Sequence, residues 1–196
     1  QFRVIISGGG TGGHIFPAIA IANAIKEKIN DVEILFVGAK GKMEMERVPD
    51  SGYSIQGLWI SGLQRSLIDL SNFLLPFKII SSLWKSFWIL RSFKPKVIVG
   101  TGGYASGPLL FIGSKLGIPS LIQEQNSYPG VTNKLLASMV QSICVSYDNM
   151  DLFFPKNKTL FLGNPVRQDI IDIEEKRDLA ITHFGLKKFK KTVLVL

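Results

Sequence analysis

The chain opens on Arg3-Val4-Ile5-Ile6-Ser7, a short β-branched apolar run, and passes directly into Gly8-Gly9-Gly10-Thr11-Gly12-Gly13-His14. The run has the composition of a parallel strand buried on both faces. The glycines permit a sharp turn with exposed backbone N–H groups, and residues 15–28 read as a helix. N–H groups gathered at a helix N-terminus hold anions, phosphate above all. His14 stands at the lip of this turn and gives a phosphate site an ionisable neighbour.

The same grammar repeats along the chain. Strands are expected at 3–7, 33–37, 53–60, 96–100, 120–123, 142–145 and 159–162, with helices at 15–28, 67–93, 106–116 and 131–139. Such alternation gives an α/β fold, a Rossmann-like parallel sheet with helices on both faces, and ligands at the carboxyl ends of its strands. Three of those ends are polar: the first glycine turn, a second one at Gly100-Thr101-Gly102-Gly103-Tyr104, and Glu124-Gln125-Asn126.

Several site types are disfavoured. Gly8, Gly10 and Gly13 fit the dinucleotide spacing, but the second strand ends Phe36-Val37-Gly38-Ala39-Lys40, without the acid that binds a ribose. A 2′-phosphorylated cofactor survives only through Lys40. The lysine–hydroxyl pair of a P-loop is missing, and two histidines with scattered acids offer no metal-ligand spacing. Cys144 is alone in an apolar run and reads as a small buried hydrophobe. Together with the lack of a leader-like segment, it leads us to expect a cytosolic protein.

Charge is unevenly spread. Of 23 Lys+Arg and 15 Asp+Glu, residues 70–147 hold seven bases and one acid, Glu124. That excess expects an anionic partner. Within it, Phe77, Ile79, Ile80, Leu83, Trp84, Phe87, Trp88 and Leu90 share one half of a helical cylinder, and Lys78, Ser81, Ser82, Lys85 and Ser86 the other. Leu67, Ile68 and Leu70 extend the apolar surface upstream. No uncharged run reaches the roughly 18 residues of a spanning helix. The pattern suits an element that dips into an anionic membrane surface, with Phe77, Ile80, Trp84, Phe87 and Trp88 in the lipid and Lys78, Lys85 and Arg91 on headgroups. A buried crossover helix is the alternative. Nucleic acid is disfavoured, because basic–aromatic interleaving does not continue beyond the segment.

Gly9-Gly10-Thr11-Gly12-Gly13-His14, Gly102-Gly103-Tyr104 with Ser106-Gly107-Pro108, Glu124-Gln125-Asn126 and Gly163-Asn164-Pro165-Val166-Arg167 occur in an order and spacing that resembles the N-terminal half of the MurG family. Ile60-Ser61-Gly62-Leu63 matches another family segment. The resemblance implies a two-domain GT-B glycosyltransferase of peptidoglycan synthesis, moving GlcNAc from UDP-GlcNAc to lipid I to give lipid II. It implies an acceptor- and membrane-binding domain over residues 1–163, at the cytoplasmic face of a bacterial inner membrane. Residues 164–196 would be the hinge and the truncated start of a donor-binding domain.

By the same resemblance, Thr11, Gly12, Gly13, Asn126 and Arg167 face the donor UDP-GlcNAc. Gly9, Gly10, Gly102, Gly103 and Tyr104 are assigned to the acceptor diphosphate, and no resident cofactor or metal is expected. His14 is the candidate catalytic base, since imidazole is the side chain that titrates in the neutral range. Glu124 is its competitor, with a loop-bracing role as its other reading. Two further readings stay open: a non-catalytic acceptor-binding, membrane-anchoring half of a split transferase, and a nucleotide-dependent oxidoreductase.

Overall fold

A computed structural model describes residues 1–62, 73–167 and 176–193. The first compact unit, Gln1–Pro165, is built on seven parallel strands. These are β1 (Arg3–Gly8), β2 (Glu33–Ala39), β3 (Ser54–Leu58), β4 (Val97–Gly102), β5 (Ser120–Glu124), β6 (Ser142–Val145) and β7 (Thr159–Phe161). Its helices are α1 (Gly12–Lys28), α2 (Glu44–Asp50), α3 (Leu75–Phe93), α4 (Ser106–Lys115) and α5 (Val131–Leu136).

The strand order is β3-β2-β1-β4-β5-β6-β7, which reverses between β1 and β4. Crossovers leave such a sheet in opposite directions at that point and open a crevice above the strand ends. Because β1 and β4 are hydrogen-bonded neighbours, with Ser7 opposite Gly100 and Gly8 opposite Gly102, the two glycine turns that follow them are forced together. The topology therefore makes one site out of two sequence motifs about 90 residues apart.

Both sheet faces are covered, as a parallel sheet requires. Val4 and Ile6 of β1 pack with Ile15, Ala18, Ile19 and Ala22 of α1 and with Phe36. Ile5 and Leu35, one register step away, pack on the other face with Ile89 and Leu90 of α3 and Leu109 and Leu110 of α4. Burial of this kind contributes roughly 1.5–3 kcal/mol per large apolar side chain. Cys144 on β6 is half-buried, and burial pushes its thiol up from the ordinary range.

Two elements differ from expectation. Helix α1 starts at Gly12 rather than Ile15, with extended Thr11 (φ −146°, ψ 157°) as its N-cap. His14 thus belongs to the first helical turn. Helix α2 was not expected; it follows a turn at Gly41, whose φ of +70° is easy only for glycine. The long helix is described from Leu75, and residues 67–72 of the expected span lie outside the described residues. Val166–Leu196 forms a second unit, with helix α6 (Arg177–His183) and an ion pair from Lys188 Nζ to Asp178 Oδ1 at 3.3 Å. The apolar run Thr192-Val193-Leu194-Val195-Leu196 falls largely outside the described residues.

Candidate active site

The glycine turns interlock. Gly9 N–H donates to the Gly102 carbonyl at 3.3 Å, and Thr101 Oγ1 donates to the His14 carbonyl at 2.8 Å. Gly102 and Gly103 take φ of +98° and +87°, and a Cβ on Gly103 would lie 2.1 Å from the Gly9 carbonyl oxygen. Glycine is required there by conformation and by contact alike. Between the turns lies a cleft of about 240 Å³ walled by Gly9, Gly10, Thr11, His14, Gly102, Gly103 and Tyr104, and closed by residues 130–133. The N-termini of α1 and α4 both follow directly from these turns. Their first-turn N–H groups have no intrahelical acceptor and carry partial positive charge.

The His14 ring is oriented by its neighbours. Its Nδ1 lies 2.8 Å from the Thr101 carbonyl oxygen and 3.2 Å from Gln125 Oε1. Gln125 Nε2 in turn donates to the Thr101 carbonyl at 2.7 Å and to Gln123 Oε1 at 2.6 Å. Reversing the Gln125 amide would set its oxygen against those two oxygens. Nδ1 therefore faces acceptors only and carries the proton, which leaves Nε2 as the ring's lone-pair nitrogen. His14 itself is half-buried and lines the cleft.

Glu124 has a different setting. It is fully buried. Its Oε1 accepts from Asn126 N–H and Nδ2, and its Oε2 from Gly130 N–H and Asn133 Nδ2, all within 2.9–3.0 Å. A carboxylate with four donors and no solvent access holds a loop; it is not placed to take a proton from a substrate. The structure thus corrects Glu124 as an alternative base. Asn126 is exposed and tied to Glu124 rather than lining the cleft. Arg167 falls in the second unit.

Sequence reasoning missed Glu44. The second strand ends without an acid in sequence, yet Glu44 of α2 folds back over that end. It is fully buried, with Oε1 accepting from Ala39 N–H at 2.9 Å and Oε2 from Gly10 N–H at 3.0 Å. A Cβ on Gly9 would meet the same carboxylate. Glu44 braces the first glycine turn, and its full burial keeps it from a ribose in the crevice. Nothing in Gly41-Lys42-Met43-Glu44-Met45-Glu46 marks one glutamate as buried. Gln125, by contrast, sat in the polar strand end already singled out. Asn133 is also buried and lines the cleft, and its Oδ1 meets no donor among the described residues.

Helix α3 turns its aromatic half outward. Its buried face is Ser82, Ser86, Ile89 and Leu90, while Phe77, Ile80, Trp84 and Trp88 are 54–66% exposed and Phe87 is half-buried. Lys78 Nζ donates to Ser61 Oγ at 2.9 Å, Ser82 Oγ to the Trp59 carbonyl at 3.0 Å, and Lys85 Nζ to the Gly57 carbonyl at 2.8 Å. The polar stripe faces the protein and the aromatic stripe faces outward. Partial desolvation, with Lys40 nearby, pulls the Lys85 ammonium below its usual range. Lys78 and Lys85 are therefore corrected from headgroup contacts to anchors of the helix; Arg91 is exposed. No helix among the described residues is long and apolar enough to cross a membrane. Among those residues no three His, Cys, Asp or Glu side chains gather as metal ligands do.

The profile of the glycosyltransferase family 28 N-terminal domain matches residues 4–145. The chain belongs to glycosyltransferase family 28. A curated relative from Flavobacterium psychrophilum, named UDP-N-acetylglucosamine–N-acetylmuramyl-(pentapeptide) pyrophosphoryl-undecaprenol N-acetylglucosamine transferase, is 58% identical over all 196 residues. One of the same name from Bacteroides fragilis is 57% identical over 194 residues. The chain spans about half the length of these relatives, 53% and 51%. The crystal structure of MurG from Acinetobacter baumannii superposes with a TM-score of 0.72 at 27% identity, over 86% of this chain and 47% of that one. A UDP-GlcNAc 2-epimerase from Neisseria meningitidis shares the fold alone, with a TM-score of 0.66 at 14% identity over 97% of this chain and 56% of that one. The family 28 match runs from β1 to the end of β6 and so contains both glycine turns, His14 and Glu124.

Proposed function

We propose that this chain supplies the acceptor-binding, membrane-facing half of an inverting transferase that moves GlcNAc from UDP-GlcNAc to the 4-hydroxyl of the muramyl sugar in lipid I, giving lipid II. The observation that carries this reading is the fixed His14 ring beside two interlocked glycine turns. In a single displacement the acceptor hydroxyl oxygen bonds to the anomeric carbon, the bond to UDP breaks, and the hydroxyl proton needs a receiver. His14 Nε2 is the nitrogen free to receive it. N–H groups of the turns, backed by the α1 and α4 N-termini, stabilise diphosphate charge without rearranging.

Gly9, Gly10, Gly102, Gly103 and Tyr104 are assigned to the acceptor diphosphate, and Thr11, Gly12, Gly13, Asn126 and Arg167 to the donor. Residues from 164 onward begin the donor-binding domain, and no resident cofactor or metal takes part in this half. The exposed ridge of α3 rests on an anionic membrane at its cytoplasmic face, which brings the cleft to a lipid-borne acceptor. The oxidoreductase reading loses further ground to Glu44, the acid nearest the end of β2, which is fully buried against the N–H groups of Ala39 and Gly10. The test is transfer by the full-length protein: His14→Ala should lower kcat by about 10²-fold or more. A variant within a few-fold of the parent would remove His14 from the chemistry.

A further inference from the structure

Beside the glycine cleft lies a second opening that is apolar and larger. It measures about 570 Å³ and is walled by Leu75, Ile79 and Leu83 of α3, Pro108 and Phe111 of α4, and Leu135 at the end of α5. Ile79, Phe111 and Leu135 are 41%, 38% and 72% exposed, an unusual cost for large apolar side chains unless something covers them. The volume falls within the roughly 300–1,000 Å³ of ligand pockets.

Two residues belong to both openings, Tyr104 and Thr132. The Tyr104 ring stands between them: a Cβ on Gly10 would be 3.8 Å from the ring, and one on Gly62 would run into it. Across the apolar cleft, Leu75, Ile79 and Leu83 form one stripe of α3. The ridge Phe77, Ile80, Trp84 and Trp88 is the neighbouring stripe of the same helix, at about 100° per residue. An apolar path therefore runs from the diphosphate cleft, past Tyr104, to the outward aromatic surface.

We infer that this cleft holds the first isoprene units of a polyprenyl chain attached to the acceptor diphosphate. The inference rests on the diphosphate assignment made above for the glycine turns. A ligand with an anionic head and an apolar tail on adjacent atoms matches a polar cleft and an apolar cleft that share a wall. A peptide or a second copy of the chain would match only the apolar one. The tail is then gripped by the protein before it reaches the bilayer, and the enzyme distinguishes a polyprenyl diphosphate from a water-soluble sugar diphosphate.

The experiment compares soluble diphosphates, used below their micelle concentrations, for binding to the full-length protein by calorimetry. Geranylgeranyl diphosphate should bind at least about tenfold tighter than dimethylallyl diphosphate, because it buries more methylenes. Ile79→Trp, which narrows the cleft, and Leu135→Glu, which charges its wall, should each abolish that increment while dimethylallyl diphosphate binds as before. Both sites are substantially exposed, so either variant is expected to fold. An increment that survives both substitutions overturns the cleft as the tail site but leaves the diphosphate assignment standing. Failure of every diphosphate to bind, including the shortest, overturns both.

Discussion

The Nδ1 of His14 lies 2.8 Å from the carbonyl oxygen of Thr101, a residue 87 positions away in sequence and adjacent only because β1 and β4 pair. This one contact joins the topology to the chemistry. It sets the tautomer of the candidate base, and it exists only where the sheet order reverses. Substitutions that leave His14 in place but move its surroundings should therefore show up in turnover.

Glu44 offers the first such case. Replacing it with Ala leaves the N–H groups of Gly10 and Ala39 without their acceptor. We expect a loss of about 2–3 kcal/mol in stability, read from the unfolding midpoint of the full-length protein. Transfer activity should fall as well, because the first glycine turn loses its brace. A midpoint at the parent value would show that water replaces the carboxylate at no cost.

Glu124→Gln separates a brace from a base. An amide cannot accept from four donors, so one half of it must face Asn126 or Gly130 and Asn133 with its own hydrogens. Stability and the affinity for acceptor should both decline, with the pH dependence of kcat retaining its shape. Loss of the alkaline-side activity plateau with an unchanged unfolding midpoint would instead return the base role to Glu124.

The glycines provide an internal comparison. At Gly103 a methyl group meets the Gly9 carbonyl at 2.1 Å, whereas at Gly117, with φ +72°, nothing lies within 4 Å. Gly117→Ala should cost about 1 kcal/mol of stability through its left-handed backbone and leave kinetics untouched. Gly103→Ala should lower kcat/KM by about 10²-fold, because the turns can no longer seat against each other. Equal kinetic effects of the two would contradict the interlocked geometry.

Much of the architecture was legible in sequence, and for physical reasons. Strands buried on both faces read as near-continuous Val/Ile runs, so β1 and β4 needed no alignment, and a glycine turn after a strand marks its own position. What sequence could not carry was orientation. The apolar and polar halves of α3 were separable by period, but which half faces the protein depends on Ser61, Trp59 and Gly57, supplied by a strand end far upstream. The assignment of Lys78 and Lys85 to lipid headgroups failed for that reason. Glu44 was invisible because its partners are backbone N–H groups, which every residue has.

The outward aromatic stripe of α3 sets what vesicle binding should show. Trp84→Ser with Trp88→Ser should weaken binding to anionic vesicles by about tenfold or more, at 66% and 54% exposure, with little change in the unfolding midpoint. Added salt should have only a shallow effect, since of the three cations first assigned to headgroups Arg91 alone is exposed. Steep salt dependence would place the membrane contact on another, more basic surface.

The central claim is that His14, in the cleft wall, keeps a bare Nε2 because Thr101 and Gln125 hold the proton on Nδ1. Nitrogen NMR of the full-length protein, isotope-labelled at histidine and recorded at about pH 8 where an ordinary imidazole is neutral, reads the tautomer directly, with His14→Gln assigning the signal. The account predicts a protonated Nδ1 and an unprotonated Nε2. A protonated Nε2 with a bare Nδ1 would contradict it.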